Sequence, residues 1–314
     1  MDRITKRPIP VLSAIDSLGV GLTVHASRAP LTTLLNHVYT LYLFTKSDIK
    51  TVLIPVTCFG VAAAHDPHLV NAIHAAVWLW MHILQADVSN QTLSPEEDKQ
   101  NKPYRPLPAG RIILRDAVIL RWALVPVCCL YSLWYSREVF CASVIFSALV
   151  ILYNEVEGHS SHWTVRNGLN ALGYAAFETG TTLVANNDRS LFDRTGIVAL
   201  SYSVTIIATT IHTQDFQDVE GDTSIGRRTL AITHPEFARL ITPVLLVAWS
   251  FLSWYVWELG WLTKMGFVLL AGVAGVRIFC LRSEPHDKIT YHYWYNTWLS
   301  IAHMLPGYYR FYYS

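Results

Sequence analysis

Long apolar stretches, separated by short polar ones, follow one another along most of the 314-residue chain. A stretch of roughly 17 to 25 mainly apolar residues is long enough to cross a bilayer as an α-helix. The pattern predicts about nine such helices, near 48–64, 68–87, 111–134, 138–156, 163–186, 195–214, 237–258, 261–281 and 290–309. The sequence therefore predicts an all-α integral membrane protein.

The N-terminal region differs from this pattern. Its basic start is followed by Pro8 and Pro10 and by no long apolar core, so a secretory signal is not expected. An amphipathic helix on the membrane surface is expected around 31–45, and a part-ordered arm is the alternative. We therefore expect an N-terminal arm at 1–47 and a transmembrane domain at 48–314.

Composition supports the membrane class and excludes others. Hydrophobic residues make up 52% of the chain and charged residues 15%, whereas soluble domains carry about 25% charge. A net charge of +1 gives no basic face for nucleic acid. The five cysteines show no CxxC or CxxH spacing, which argues against a disulfide framework or a zinc site. The lipid bilayer is the partner indicated, and no obligate protein partner is evident.

Basic residues are distributed unequally between the two sides of the bilayer. With nine spans, 17 Lys and Arg residues fall on the side of the N-terminus and five on the other side. Because loops rich in Lys and Arg stay in the cytosol, the N-terminal side is predicted to be cytosolic. The expected location is the endoplasmic reticulum membrane.

An acidic segment, DFQDVEGD, follows the predicted helix at 195–214. If that helix continues, Asp215, Asp218 and Asp222 lie at i, i+3 and i+7 on one face. Three neighbouring carboxylates repel one another unless a cation lies among them, and Mg²⁺ suits such oxygen ligands. The alternative is a solvated acidic helix end. Both acidic segments of the chain lie on the predicted cytosolic side.

The other acidic segment, NQTLSPEED at 90–98, follows the predicted helix at 68–87. Asn90 and Asp98 are its better candidates for metal ligands. Ser94 and Glu97 have the spacing of a helix capping box, so Glu97 is either a ligand or a capping residue. Further donors, which would either join the metal or hydrogen-bond to its ligands, are Asp87 and Gln91.

Cations follow this first acidic segment, at Lys99, Lys102, Arg105 and Arg111. Cations interleaved with metal-binding carboxylates suit a diphosphate, because that group binds both metal ions and basic side chains. The alternative is ordinary anchoring at the cytosolic surface.

Taken together, these motifs resemble the UbiA-type intramembrane prenyltransferase superfamily over nearly the whole chain. The KPYRPL segment at 102–107, the Tyr-Asn pair at 153–154 and the DxxDxxxD motif at 215–222 carry the resemblance. It implies a helical bundle around an apolar cavity, with Mg²⁺ between the acidic motifs and a prenyl diphosphate. It assigns the metal to Asn90, Asp98, Asp215, Asp218 and Asp222, and the diphosphate to Lys102, Arg105 and Arg228.

One departure separates this chain from most of that superfamily. Its first motif reads NQxxxxxED, with Ser94 where a middle Asp is usual. This form resembles the fungal UbiA-type terpene cyclases, which implies a carbon-oxygen lyase that converts farnesyl diphosphate to a cyclic sesquiterpene hydrocarbon. A prenyltransferase that uses an aromatic acceptor is the alternative. A transporter is disfavoured because the carboxylates lie at one membrane face and not at the midplane.

Cyclisation requires aromatic faces that stabilise an allylic cation and a cavity that excludes water. The predicted helix at 163–186 presents Arg166, Asn170, Tyr174 and Phe177 at near-helical spacing. We expect the first two at the diphosphate and the aromatic pair beside the cation. Each aromatic residue taken alone is more often lipid-facing or part of the core.

Three further residues are candidates for catalytic roles. Glu178 lies within a predicted span, where a carboxylate needs an interior partner, so it either orients a cavity group such as Tyr202 or bonds another helix structurally. Tyr202 is expected at cavity depth. His212 lies one turn before Asp215 and is a candidate base for the final deprotonation, a role that diphosphate itself can also fill.

Overall fold

The computed structural model describes residues 28–93, 95, 98–99 and 102–313. The chain divides into two units, 1–40 and 41–314. Within the described ranges the secondary structure is helical, apart from one isolated bridge between Pro67 and Asn186. Among the predicted site residues, Glu97 lies outside the described residues.

The α-helices that we label are α1 (Arg28–Thr45), α2 (Ile54–Ala63), α3 (Leu69–Leu93), α4 (Leu114–Leu133), α5 (Arg137–Asn154), α6 (Trp163–Ala185), α7 (Arg194–Thr210), α8 (Val219–Ser224), α9 (Leu230–Thr233), α10 (Pro235–Val256), α11 (Trp261–Cys280), α12 (Glu284–Ile289) and α13 (Asn296–Tyr313). Two π-helical turns precede α2 and α13, at Ile49–Leu53 and Thr290–Tyr295. Short 3-10 helices occupy Gly158–Ser160 and Ile211–Gln217.

Each of the nine predicted segments coincides with helix, so the all-helical prediction is confirmed. Six helices in the described part are long and apolar enough to cross a membrane: Leu69–Leu93, Leu114–Leu133, Arg137–Asn154, Arg194–Gln217, Pro235–Val256 and Trp261–Cys280. The segment Ile49–Ala63 is apolar but shorter, and α6 and α13 do not qualify. The prediction of nine spans is therefore not confirmed by length and composition.

Helix boundaries follow from local capping chemistry. Ser136 accepts a hydrogen bond from the Val139 N–H and so begins α5, and Asp193 accepts one from the Gly196 N–H and so begins α7. An oxygen at this position satisfies an amide that has no partner within the helix. Pro235 begins α10 at a position where no amide hydrogen is needed.

A row of side-chain hydrogen bonds, which we name the polar ladder, joins one face of α3 to α4 and α5. Its donors and acceptors recur every three or four residues along α3, as expected for one helix face. In an apolar surrounding, such interhelical bonds hold helices together where the hydrophobic effect contributes little. The pairs are Trp78 with Ser132 (2.8 Å), His82 with Ser143 (2.7 Å), Gln85 with Ser147 (2.9 Å) and Ser89 with Asn154 (2.9 Å).

Helix α6 approaches α3 closely at one point. A Cβ atom added to Gly180 would lie 2.0 Å from a ring carbon of Trp78, so only glycine fits there. Trp78 is fully buried at this contact. The glycine thus brings α6 against the helix that carries the polar ladder, and the cavity described below lies between the same helices.

The connections at one end of the bundle, which we name the far end, bond extensively to one another. Arg310 in α13 forms an ion pair with Asp193 at 2.7 Å. The Asp66 N–H donates to the Asn186 side chain at 2.8 Å, and the Ser136 hydroxyl donates to the Arg189 carbonyl at 3.0 Å. Both acidic segments lie at the opposite end.

Candidate functional site

A cavity of about 620 Å³ opens at the end of the bundle that carries the acidic segments. Charged and amide side chains line it near the helix ends, and apolar side chains line it further along the same helices. In α6, Phe177 lies eleven residues beyond Arg166, which corresponds to roughly 16 Å along the helix axis. One cavity thus has a charged outer part and a deeper aromatic part.

The second acidic segment is not a continuation of α7. That α-helix ends at Thr210, a 3-10 helix covers Ile211–Gln217, and Asp218 lies at the junction with α8. The expected i, i+3, i+7 stripe on one continuous helix is therefore wrong in its geometry. A 3-10 helix has three residues per turn, so Asp215 and Asp218 still project to the same side. Asp215, Asp218 and Asp222 all line the cavity.

Arginines neutralise two of these three carboxylates. Arg166 bonds to Asp215 at 2.7 Å, and Arg227 bonds to Asp222 at 2.7 Å. No ion pair to Asp218 is present in the part of the chain that the structure describes. Burial raises the pKa of the Asp218 carboxyl, partly offset by the charge of Lys102. Of these three aspartates, Asp218 is therefore the one without an arginine partner in the described residues, and its carboxylate remains available to another cation.

The first acidic segment contributes less to the cavity than expected. Asn90 lines the cavity, but Asp98 does not. Asp98 is buried and accepts a hydrogen bond from the Arg105 guanidinium at 2.6 Å. Gln91 also points elsewhere, because its side-chain amide donates to the Phe44 carbonyl. The structure thus gives Asp98 a different neighbour from the one expected: its carboxylate holds Arg105 in place.

Four of the five predicted diphosphate-binding residues line the cavity: Lys102, Arg105, Arg166 and Asn170. The fifth, Arg228, is exposed and outside the cavity wall, and Arg227 lines the cavity instead. Gly226 has a φ of 74° and reverses the chain after α8. The Arg227 N–H then donates to the Asp222 carbonyl at 2.9 Å. This turn explains why the inward-facing arginine is one residue earlier than predicted.

Aromatic rings line the deeper part of the cavity. Tyr174 and Phe177 are both in its wall, as predicted, together with Phe146 from α5. The rings of Phe146 and Phe177 have centroids 4.2 Å apart, and those of Tyr174 and Phe177 are 6.5 Å apart, edge to face. Such rings present their negative faces or their edges to a bound molecule.

Comparison with known proteins identifies the family of this chain. Residues 52–300 match the model of the UbiA prenyltransferase family. This chain belongs to the UbiA prenyltransferase family. It is 30% identical over 275 residues to the fumagillin beta-trans-bergamotene synthase of Aspergillus fumigatus, covering 85% of this chain and 91% of that protein. It is also 31% identical over 211 residues to a diterpene cyclase of Hericium erinaceus, covering 63% and 65% of the two chains.

A solved structure shares the fold of this UbiA-family chain. A UbiA homolog from Archaeoglobus fulgidus, bound to DMAPP and Mg²⁺, superposes with a TM-score of 0.62 at 16% identity. The likeness covers 86% of this chain and 97% of that one. The prediction of a UbiA-like helical bundle around a cavity is therefore confirmed as a fold.

The UbiA fold implies a divalent metal, and the donors in this chain fit one. No group of three or more His, Cys, Asp or Glu side chains converges as a closed metal cage in the described residues. Mg²⁺ does not need such a cage, because it is usually held by one or two carboxylates, waters and substrate phosphates. Asp218 and Asn90 in the cavity wall offer suitable oxygen atoms.

Three residues predicted to be catalytic lie outside the cavity wall of this UbiA-family chain. Glu178 is fully buried and accepts a hydrogen bond from Ser203 at 2.5 Å, not from Tyr202. Tyr202 donates to the Trp249 carbonyl at 2.8 Å. These side chains bond helices to one another, so their predicted positions at the cavity are corrected.

His212 is also directed away from the cavity. Its Nε2 atom lies 2.8 Å from the Thr242 hydroxyl of α10, and its ring is buried. The prediction relied on a helical face shared with Asp215. The structure places the two side chains against different neighbours, so a direct role for His212 as a base is not supported.

Sequence reasoning missed several cavity residues or gave them little weight, among them Asp48, Asp87 and Arg227. Asp87 has a sequence signal, because it precedes Asn90 by three residues on one helix face. Asp48 stands at the polar start of an apolar segment, where a charged residue is expected for any span. Its position in the cavity depends on tertiary packing and could not be read from the sequence.

Proposed function

We propose that this protein is a membrane-bound, Mg²⁺-dependent terpene cyclase that ionises a prenyl diphosphate and closes the resulting cation on itself. One observation carries the proposal: a single cavity combines a charged outer part with an aromatic deeper part. The relative named a bergamotene synthase and the relative named a diterpene cyclase support cyclisation over transfer. The substrate we propose is farnesyl diphosphate, and the product a sesquiterpene hydrocarbon.

The outer part of the cavity suits the diphosphate. Five lysine and arginine side chains of the described residues line its wall: Lys102, Arg105, Arg166, Arg227 and Lys288. Guanidinium groups bind phosphate oxygens through paired hydrogen bonds, which are stronger than bonds between neutral groups. Bound Mg²⁺ supplies further positive charge to the departing diphosphate. These arginines stabilise the negative charge that develops when the carbon-oxygen bond breaks and both electrons leave with the diphosphate.

The deeper part suits the hydrocarbon. Phe146, Tyr174 and Phe177 offer π-faces to the allylic cation, and Leu149 and Leu169 add apolar wall. In this surrounding a double bond of the same chain attacks the cation, and transfer of a proton from the cyclised cation to the released diphosphate ends the reaction. A cavity of about 620 Å³ falls in the range of roughly 300 to 1,000 Å³ usual for small-molecule sites.

Incubation with farnesyl diphosphate and Mg²⁺, without an acceptor, tests this proposal. Purified protein in nanodiscs is expected to release diphosphate and to yield a cyclic hydrocarbon by gas chromatography. Arg227→Gln should raise KM about 10- to 100-fold, because one charge-assisted bond is worth about 1.5 to 3 kcal/mol. Arg228→Gln should behave as wild type, since Arg228 is outside the cavity wall.

The same assay distinguishes the alternative. An acyclic alcohol as the only product, or no product until an aromatic acceptor is added, would contradict cyclisation and favour the prenyltransferase. Thermal unfolding of both arginine variants checks that Arg227→Gln does not act through loss of its ion pair with Asp222.

We also propose that the chain spans the membrane nine times, with the cavity open to the cytosol and the protein in the endoplasmic reticulum. The segment Ile49–Ala63 and the helices α6 and α13 would add to the six apolar helices. The polar side chains of α6, including Arg166 and Glu178, are buried in the bundle, so its low hydropathy is compatible with an interior span. The excess of Lys and Arg on the cavity side supports the orientation.

Cysteine labelling in sealed microsomes tests the orientation. In a background without the five native cysteines, Pro95→Cys is expected to react with a membrane-impermeant maleimide added outside. Ser190→Cys, at the far end, should react only after the vesicles are opened. Labelling in the reverse order would contradict the cytosolic site, and labelling of both from outside would contradict an odd number of spans between them.

A further inference from the structure

Two carboxylates outside the second acidic segment also line the cavity. Asp48 lies just before the π-helical turn at Ile49–Leu53, and Asp87 lies in the last turns of α3. Their side chains are within hydrogen-bonding reach of each other. Two carboxylates that are 39 positions apart in the sequence thus lie next to each other in the cavity wall.

Neither carboxylate of this pair has a basic partner. In the part of the chain that the structure describes, no Lys or Arg forms an ion pair with Asp48 or Asp87. The Thr51 hydroxyl donates to Asp48 at 3.3 Å, and the Oδ2 atom of Asp87 is buried without a hydrogen-bond partner. The charges of Lys102 and Arg105 act on Asp87 through space and not through an ion pair.

Three buried acids near the cavity differ from this pair because they have arginine partners. Asp98, Asp215 and Asp222 each accept a hydrogen bond from an arginine at 2.6 to 2.7 Å. A buried charge without a partner is strongly unfavourable, and two like charges side by side are more so. The pair at 48 and 87 lacks the direct arginine bond that those three acids have, and a bound cation would supply the missing positive charge.

A third oxygen donor stands beside the pair. Asn90 follows Asp87 by three residues in α3, which places the two side chains on one helix face. Asn90 also lines the cavity. Two carboxylates and one amide oxygen are ligands that Mg²⁺ accepts while keeping coordination positions for water and phosphate.

We propose that Asp48, Asp87 and Asn90 hold a divalent cation at the α3 wall of the cavity. This site would replace the metal site that the resemblance to the UbiA superfamily assigns to the first acidic segment. Ser94 cannot replace a missing carboxylate, and Asp98 is committed to Arg105. The use of this cation for the diphosphate rests on the proposed function, but its binding does not.

Direct binding of Mn²⁺, without any prenyl diphosphate, tests the site. The full-length protein in nanodiscs is titrated with Mn²⁺, and bound ions are counted by electron paramagnetic resonance. Asp48→Asn and Asp87→Asn should each bind one ion fewer than wild type or bind it at least about ten-fold more weakly. Asp98→Asn should keep the wild-type number of ions, as should Asp116→Asn, which removes an exposed carboxylate of α4.

The outcomes separate this site from its alternatives. Wild-type binding by both Asp48→Asn and Asp87→Asn would overturn it and indicate a shared proton. Loss of the ion in Asp98→Asn alone would return the site to the first acidic segment. Thermal unfolding identifies a misfolded variant. Because the two substitutions lie on different segments of the chain, the other variant still tests the site if one of them misfolds. If the two substitutions remove the expected ion but the wild-type protein makes no product from farnesyl diphosphate, the site stands and the proposed function fails.

Discussion

Asp218→Asn is expected to lower product formation from farnesyl diphosphate by at least about 100-fold, as is typical when one electrostatic stabiliser of a reaction is removed. Asp218 lines the cavity and has no ion-pair partner in the described structure. The substitution therefore removes the charge of a proposed metal-binding carboxylate without leaving a buried arginine unpaired. The midpoint of thermal unfolding should remain within a few degrees of that of wild type, and product is measured by gas chromatography.

Asp215→Ala gives an informative contrast. Asp215 is 1% exposed and pairs with Arg166, so the substitution leaves a buried guanidinium unpaired. Breaking such a pair costs about 3 to 5 kcal/mol, and both stability and activity should fall. Asp116→Asn serves as the matched control on the surface. Full turnover by Asp218→Asn at ordinary Mg²⁺ concentrations would remove Asp218 from the metal site.

Phe177→Ala is expected to change the product mixture more than the rate of diphosphate release. Phe177 packs against Phe146 in the deeper cavity wall, remote from the charged residues that promote ionisation. Loss of an aromatic face removes roughly 0.5 to 2 kcal/mol of cation stabilisation, and the space left admits water or a different fold of the chain. More acyclic or hydroxylated product should appear, while diphosphate release falls less than ten-fold.

Tyr174→Ala tests the same wall from one turn earlier, and Tyr255→Ala is its control. Tyr255 is 79% exposed on α10 and is not in the cavity wall. The control should leave both products and rate unchanged. An unchanged product mixture in Phe177→Ala and Tyr174→Ala, with a lower rate, would mean that these rings shape the diphosphate end and not the cation.

The sequence predicted where the helices lie, because a long apolar stretch in a bilayer satisfies its backbone as a helix. It did not fix the number of spans, since three of the nine segments lack the length or hydropathy of a span. It also grouped Asp215, Asp218 and Asp222 correctly at the cavity, although the assumed continuous helix was wrong. The grouping survived because residues three apart share a side in both α- and 3-10 helices. A prediction from residue spacing holds when the two possible helix types place the same side chains on one side.

Other predicted positions differ from the structure where tertiary contacts determine the neighbour of a side chain. Asp98 looked like a metal ligand, but a local turn places Arg105 beside it. Arg228 was one residue from the correct arginine, because the reversal at Gly226 sets which side chain faces inward. Glu178 was correctly expected to need an interior partner, yet Ser203 lies on another helix and no spacing reveals it.

The polar ladder along α3 has a consequence for how the protein is made. A helix that exposes His82, Gln85 and Ser89 on one face is poorly suited to remain alone in lipid after it leaves the translocon, since those groups then lack partners. Their partners Ser143 and Ser147 are on α5, which is synthesised about sixty residues later. We therefore expect α3 to reach its final packing only after α5 has been synthesised, so that the segment from α3 to α5 folds as one unit.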